Sequence, residues 1–147
     1  MSLRHFEDSD IAAMLGEFAR ELGGADANGA VTRLLTHCDE ADADSAARIA
    51  ASLLQSQRVP LALELLERQV VRWPVSAELH ALRGNALRLL GRASEAEAAL
   101  RRALALDAMH GAASLSLAYL LREQGRLSAA ADTMTGEGVA ASATPSG

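Results

Sequence analysis

Aromatic residues and cysteines are scarce in this sequence of 147 residues. Only 3% of the residues are aromatic, although 50% are apolar. A core of alanine and leucine favours closely packed helices over a sheet, which would use more valine, isoleucine and aromatic side chains. Cys38 is the single cysteine, so the chain cannot form an internal disulfide. We therefore predict an all-α fold without disulfides.

Lysine is absent, and all 14 basic residues are arginines, a usage that indicates a GC-rich bacterial genome. The net charge is −5 and is unevenly distributed. Residues 1–44 hold ten acidic residues against three arginines, whereas the rest of the chain holds nine against eleven. An acidic chain without a basic stripe argues against nucleic-acid binding. We therefore expect no nucleic-acid partner.

Long apolar runs are also absent. No run approaches the 18 residues that a membrane-spanning helix needs, so we predict no membrane span. The first ten residues turn acidic without an apolar stretch, which is not the pattern of a secretory signal. From these features we expect a cytoplasmic protein.

Apolar residues recur at three- and four-residue steps along most of the chain, which is the periodicity of amphipathic helices. The pattern predicts a frayed start over residues 1–8 and an acidic connector over residues 39–44. The tail 135–147 lacks periodicity and is rich in glycine, serine, threonine and proline, so we expect it to be disordered. The predicted helices cover 9–22, 27–38, 45–57, 60–72, 76–90, 93–106, 110–124 and 127–134.

Small residues and turn residues return at a fixed interval of 34 residues, the kind of period that identifies a helical repeat. Three units align, and each predicts a helix, a tight turn and a second helix. Small side chains at two positions would let the paired helices approach closely, and a larger apolar side chain would fill the space between units. The matching sets are Ala50, Gly84 and Ala118; Gln57, Gly91 and Gly125; Ala62, Ala96 and Ala130; and Leu66, Leu100 and Met134.

These positions resemble the tetratricopeptide repeat over residues 43–134, as units 43–76, 77–110 and 111–134. The resemblance implies a right-handed superhelical stack of antiparallel helix pairs. Gln69 stands where the family has a small residue, and Ala108 stands where it has proline. Asn28 occupies a place where alanine is expected, so residues 1–42 are interpreted as an N-terminal helical cap or a degenerate repeat.

The resemblance also implies that the first helices of successive units line a concave groove. Arg88 and Arg122 lie one repeat apart, and arginine there can hold a carboxylate in a fork. The alternative is that both arginines pair with Glu123 or Glu78 as a solvated face. The predicted groove residues are Leu54, Asn85, Arg88, Leu89, Leu115, Tyr119 and Arg122.

The end of the last unit is a second candidate surface. Solenoids usually close with a polar capping helix, whereas this chain continues directly into its tail. Incomplete cover would favour a homodimer or docking onto a partner; the alternative is that the tail folds over the end. The apolar residues concerned are Leu117, Leu120, Leu121, Leu127 and Ala130.

Residues suited to catalysis are sparse. Cys38 follows His37, but adjacent residues on a helix point apart. The histidines are too scattered to suggest a metal site, so we expect no metal, no cofactor and no enzymatic activity. The resemblance implies a non-catalytic protein–protein interaction scaffold, namely a small bacterial adaptor or chaperone-like protein that binds a peptide or helix. The alternative is an accessory or regulatory module of a larger enzyme system, such as a transferase.

Overall fold

A computed structural model describes residues 3–125 of the chain. This part contains seven α-helices, and its one extended pairing is an isolated bridge between Arg4 and Ala41. The predicted all-α fold is therefore confirmed. The predicted helix 127–134 and the tail 135–147 lie outside the described residues. The helices are α1 (Asp8–Leu22), α2 (Ala27–Glu40), α3 (Ala43–Gln55), α4 (Val59–Arg72), α5 (Ala77–Leu89), α6 (Ala93–Leu106) and α7 (Gly111–Glu123).

The chain forms two compact units. Unit 1, Met1–Pro74, contains α1 to α4; within it α1 and α2 contact each other and both contact α3, while α2 also contacts α4. Unit 2 begins at Val75 and contains α5 to α7, each of which contacts the other two. The cores of both units consist largely of leucine and alanine, as the composition predicts.

The 34-residue period sets where three of the helices begin. Asp42, Ser76 and His110 are the N-caps of α3, α5 and α7, and they lie one period apart. The side chain of each N-cap accepts the backbone N–H of the residue three positions later. A carboxylate, a hydroxyl and an imidazole nitrogen therefore satisfy the same otherwise unpaired donor, which fixes the first turn of each helix.

The turn after each of these helices also repeats. Gln57, Gly91 and Gly125 adopt φ angles of 62°, 78° and 75°, in the left-handed region. After α5, Gly91 N–H donates to Arg88 O at 3.0 Å and Arg92 N–H donates to Leu87 O at 2.9 Å. This pair of bonds is the Schellman ending of a helix, in which glycine carries the left-handed residue at least cost. The first unit of the repeat makes the same turn with a glutamine.

The left-handed glutamine gives a stability prediction. Replacing Gln57 by glycine should raise the free energy of unfolding by about 1 kcal/mol, because the cost of holding an L-residue at positive φ is removed. Gly91→Ala is the matched control and should lower the free energy of unfolding by a similar amount. Because no atom lies within 4 Å of the added methyl group, the positive φ angle is the only source of this loss. Urea denaturation followed by circular dichroism measures both variants, and a destabilising Gln57→Gly would contradict the explanation.

The N-terminal segment is not frayed, so that prediction is wrong for the described residues 3–7. Arg4 N–H donates to Glu40 O at 2.9 Å, and Asp42 N–H donates to Arg4 O at 2.8 Å. The segment therefore runs parallel to the connector between α2 and α3. Local sequence gives no signal of this pairing, because the partner backbone lies 37 residues further along the chain.

Phe6 anchors the same segment. Its side chain is buried, and its N–H donates to Ser45 Oγ at 2.8 Å. Ser45 is itself fully buried in the first turn of α3, so this bond satisfies a polar group inside the core. The Arg48 guanidinium donates to the Phe6 carbonyl. The buried ring and these bonds hold the start of the chain on α3.

Gln69 explains one departure from the family pattern. Its side chain is fully buried in α4, and Nε2 donates to Asp39 Oδ1 at 3.1 Å. Its Oε1 accepts from Arg72 Nη1 at 2.8 Å, and the same Nη1 donates to the Cys38 carbonyl at 3.0 Å. Asp39 belongs to the last turn of α2, so the acidic connector predicted over residues 39–44 begins too early. These bonds fix α4 to the C-terminal end of α2, where free carbonyls need donors.

Gly84 provides the close approach in unit 2. A Cβ atom at this position of α5 would lie 2.5 Å from Leu100 Cγ in α6. Leu100 is fully buried, as are Ala96 and Ala103 on the same helix. The small residues recognised in the repeat therefore let the backbone of α5 approach α6 directly, as predicted.

Candidate partner-binding face

Six of the seven predicted groove residues lie on α5 and α7, the two first helices of successive repeats in unit 2. These helices contact each other. We call the surface formed by Asn85, Arg88 and Leu89 of α5 and Leu115, Tyr119 and Arg122 of α7 the unit 2 face. The seventh residue, Leu54, lies on α3 in unit 1 and is half-buried.

Arg88 is engaged inside the unit 2 face. Its Nη1 donates to Glu123 Oε1 at 3.0 Å, and its Nη2 donates to Asn85 Oδ1 at 2.9 Å. The side chain is only 17% exposed, and its buried Nε has no hydrogen-bond partner among the described residues. The predicted solvated pairing of Arg88 with Glu123 is thus present, although the arginine itself is largely covered. Arg88 links α5 to the end of α7.

Arg122 has a different environment. It is exposed, and its guanidinium carbon lies 5.6 Å from the centroid of the Tyr119 ring. No aspartate or glutamate in the described part of the chain forms an ion pair with Arg122. The other predicted acceptor, Glu78, contacts His110 Nε2 at 2.7 Å instead. The two arginines therefore differ: Arg88 is neutralised by Glu123, whereas no described residue occupies the N–H donors of Arg122.

The unit 2 face has an apolar surface beside these charges. Leu89, Leu115 and Tyr119 are 49%, 44% and 42% exposed. A partner that binds here would bury these apolar side chains. The Tyr119 ring also lies 5.7 Å from the guanidinium carbon of Arg88. Cation–π contacts with two arginines restrict where the ring can lie. The result is an aromatic centre with leucines and one available guanidinium around it.

Unit 1 has a surface depression of its own, and the arginine that lines it is paired. Its lining between α1 and α3 includes Ile11, Leu15 and Ala51. Arg48 lies at its edge, where it pairs with Asp8 and with Asp44, the latter at 3.1 Å. The cation here is neutralised by carboxylates of its own unit, whereas Arg122 of the unit 2 face has no carboxylate partner among the described residues.

The apolar end of the last repeat differs from the prediction. Leu117, Leu120 and Leu121 are all buried, so they do not form the incompletely covered surface that was expected. Leu127 and Ala130 lie outside the described residues. The described part of α7 therefore offers its exposed apolar side chains on the unit 2 face rather than on this leucine cluster.

Cys38 has the environment of a core residue. It is fully buried at the end of α2. Burial, together with the neighbouring Asp39 carboxylate, raises the pKa of the Cys38 thiol to about 12. The thiol is therefore protonated near neutral pH, whereas a nucleophilic cysteine needs the thiolate.

His5, Asp42 and Asp44 bring three metal-ligating atoms within 4.8 Å of one another. Their hydrogen bonds serve the first turn of α3 instead: Asp42 accepts from Ser45 N–H, and His5 Nδ1 lies 2.8 Å from its other oxygen. Burial alone would raise the pKa of Asp42, but the bonds from Ser45 and His5 outweigh it and lower the pKa. The positive end of α3 and the nearby Arg48 both oppose a cation here.

Among the described residues, no helix is both long enough and apolar enough to cross a membrane.

The profile described as tetratricopeptide repeat matches residues 47–108 and 90–136. No curated protein sequence matches the chain significantly.

Solved structures of MamA share the fold. The crystal structure of MamA is 21% identical, with a TM-score of 0.67 over 89% of this chain and 72% of that one. MamA AMB-1 is 22% identical, with a TM-score of 0.60 over 91% and 78%. The 41-end form of MamA from Desulfovibrio magneticus RS-1 is 21% identical, with a TM-score of 0.60 over 87% and 73%. The profile covers more than half of the sequence, and the chain belongs to the tetratricopeptide repeat family.

Proposed function

We propose that the unit 2 face binds a peptide or helix of a protein partner that presents an acidic side chain next to apolar residues. The observation that carries this proposal is Arg122, whose exposed guanidinium lies over Tyr119 without a carboxylate partner in the described part of the chain. Tetratricopeptide repeats form scaffolds for protein–protein interaction and are generally non-catalytic, which agrees with this type of function.

The contact between Arg122 and Tyr119 prepares the guanidinium for an anion. Cation–π attraction acts through the charge and leaves the N–H donors of the arginine unused. It also restricts the side chain, so less rotamer entropy is lost when a carboxylate binds. A carboxylate can accept two parallel N–H bonds from one guanidinium, a geometry that lysine cannot offer.

The half-exposed leucines supply the apolar part of the contact. Leu89 and Leu115 belong to neighbouring helices, so a partner that covers both would span the unit 2 face. Tyrosine and arginine are enriched among the residues that dominate interface energies, and here they are adjacent. An apolar centre with a charged edge is the arrangement expected for recognition of an amphipathic segment.

Arg88 acts as support in this proposal. Its bonds to Asn85 and Glu123 connect α5 to α7 and lie on the same surface as Tyr119. Such a link holds the two helices that carry the face, which lowers the cost of ordering them on binding. We therefore assign the partner's carboxylate to Arg122 alone.

The biological setting is an adaptor or chaperone-like scaffold. One alternative is an accessory module of a larger enzyme system, which would bind a partner domain with the same face. Another is a homodimer, in which a second copy of the chain would be the partner. Light scattering at low salt measures the mass of the protein in solution. A monomeric mass would exclude the homodimer, and the face would then bind a different protein. A longer native reading frame that encodes a catalytic domain would favour the accessory module.

A random 12-residue peptide library displayed on phage tests the proposed function. Selection on the native chain should enrich peptides with an acidic residue beside leucine or an aromatic residue. Arg122→Ala should lower the affinity for an enriched peptide about tenfold, the order expected for losing a charge-assisted hydrogen bond at an interface. Fluorescence anisotropy measures the affinity, and the melting temperature should stay the same because the side chain is exposed.

Arg101→Ala is the control for that substitution. Arg101 is also exposed and lies on α6, where it pairs with Glu97 at 3.0 Å. This variant removes the same charge from the same unit and should leave the affinity unchanged. Enriched peptides that bind the Arg122→Ala and Tyr119→Ala variants as tightly as the native chain would refute the proposed face.

A further inference from the structure

We infer that Glu123 determines the specificity of the unit 2 face, by restricting it to partners that present a single carboxylate. The inference rests on the proposed function and concerns the same face. Glu123 is an internal carboxylate that forms an ion pair with Arg88. Only the guanidinium of Arg122 is then left to bind a carboxylate of the partner.

The geometry gives Glu123 the place that a partner's acidic group would take. Its Oε1 lies 3.0 Å from Arg88 Nη1, while Arg88 Nη2 is bonded to Asn85. Arg88 is only 17% exposed, whereas the Glu123 side chain is 54% exposed. A carboxylate that approaches Arg88 from solvent therefore meets Glu123 before it can reach the arginine.

The charges lead to the same conclusion. Arg88 and Arg122 of the unit 2 face and the adjoining Glu123 together carry a net charge of one positive unit, which a single carboxylate neutralises. A second carboxylate next to Arg88 would face Glu123 at short range, and like charges placed together across an interface lower affinity and exclude unsuitable partners. The face is thus complementary to one acidic residue and discriminates against two.

The position of Glu123 in α7 is unfavourable for the helix itself. It is the last residue of α7, where the negative end of the helix dipole disfavours a carboxylate. The preceding Arg122 has the charge that this end prefers. A residue that opposes a local rule without a local gain is expected to serve another purpose, and the ion pair with Arg88 is the interaction it makes.

The test repeats the phage selection on Glu123→Gln. Glutamine keeps the shape of the side chain and an oxygen that can accept from Arg88, but it removes the negative charge. We expect the native chain to enrich peptides with one acidic residue and Glu123→Gln to enrich peptides with two. A glutamate added to a singly acidic peptide should raise its affinity for Glu123→Gln about five- to tenfold at low salt and should not raise it for the native chain.

Glu97→Gln is the matched control. Glu97 lies on α6 in the same unit and forms an ion pair of the same 3.0 Å length with Arg101. Its substitution removes an equal charge, so it should leave the selected peptides like those of the native chain. A shift toward doubly acidic peptides in this variant would mean that net charge alone decides, and the inference would be wrong.

The remaining outcomes separate the inference from the proposed function. Native-like peptides selected by Glu123→Gln would overturn the inference and leave the proposed function standing. Selection that yields no consensus on the native chain, or the same consensus on Tyr119→Ala and Arg122→Ala, would overturn the proposed function together with the inference.

Discussion

Gly84→Val should destabilise unit 2 by more than about 3 kcal/mol, because overpacking of a closely packed helix interface commonly costs up to that amount and the contact here is severe. Even the first added carbon would lie 2.5 Å from Leu100 Cγ and 3.2 Å from the Leu100 backbone nitrogen. Leu100 is fully buried, so its side chain cannot turn outward into solvent to relieve the contact. Helix α5 must therefore move away from α6, which exposes the core of the unit.

Gly16→Ala is the control that separates this clash from the ordinary effect of removing a glycine. Gly16 lies inside α1, and a Cβ atom there would meet only the end of the Arg20 side chain, at 3.6 Å. This substitution should stabilise the protein by about 0.5–1 kcal/mol through the reduced entropy of the unfolded chain. Thermal and urea denaturation followed by circular dichroism measure both variants. A Gly84→Val protein as stable as the native chain would contradict the described packing.

Phe6→Ala should destabilise unit 1 by about 3 kcal/mol, the lower end of the usual cost of truncating a buried phenylalanine. Phe6 is 5% exposed, and its removal also weakens the hydrogen bond from its N–H to the buried Ser45. A terminal segment can detach by itself, which is why the lower end of the range applies. Urea denaturation followed by the fluorescence of Trp73, the single tryptophan, reports on this unit.

Leu3→Ala is the comparison for this prediction, because Leu3 lies in the same segment and is 50% exposed. It should change the free energy of unfolding by less than about 0.5 kcal/mol. Should Phe6→Ala have an equally small effect, the segment would be frayed in solution, as the sequence suggests, and its described pairing with the α2–α3 connector would be wrong.

The repeat was predictable because its signals are local and recur. The predicted bounds of α6 agree with the structure at both ends, and α5 and α7 differ by one residue at each end. A glycine in the left-handed turn and a small residue at the helix contact are each required by backbone geometry, so they appear directly in the sequence. Gln57 shows the limit of this inference, since the same turn forms there without a glycine.

The contacts that the sequence did not predict join distant segments. Arg4 pairs with the connector before α3, and Gln69 bonds to Asp39, 30 residues earlier. Periodicity within one helix contains no information about either partner. The bond between Arg88 and Glu123 spans 35 residues and was foreseen only as the alternative to ligand binding. A search for opposite charges about one repeat apart could have identified it as the preferred arrangement.

A crystal structure of the chain bound to the most enriched peptide tests the central claim most directly. We predict that the carboxylate of the peptide lies about 2.8 Å from the Arg122 guanidinium, the usual length of a charge-assisted bond. Its apolar side chains should cover Leu89, Leu115 and Tyr119, while Glu123 stays on Arg88. A peptide bound anywhere other than the unit 2 face, or bound there with its carboxylate away from Arg122, would contradict the account.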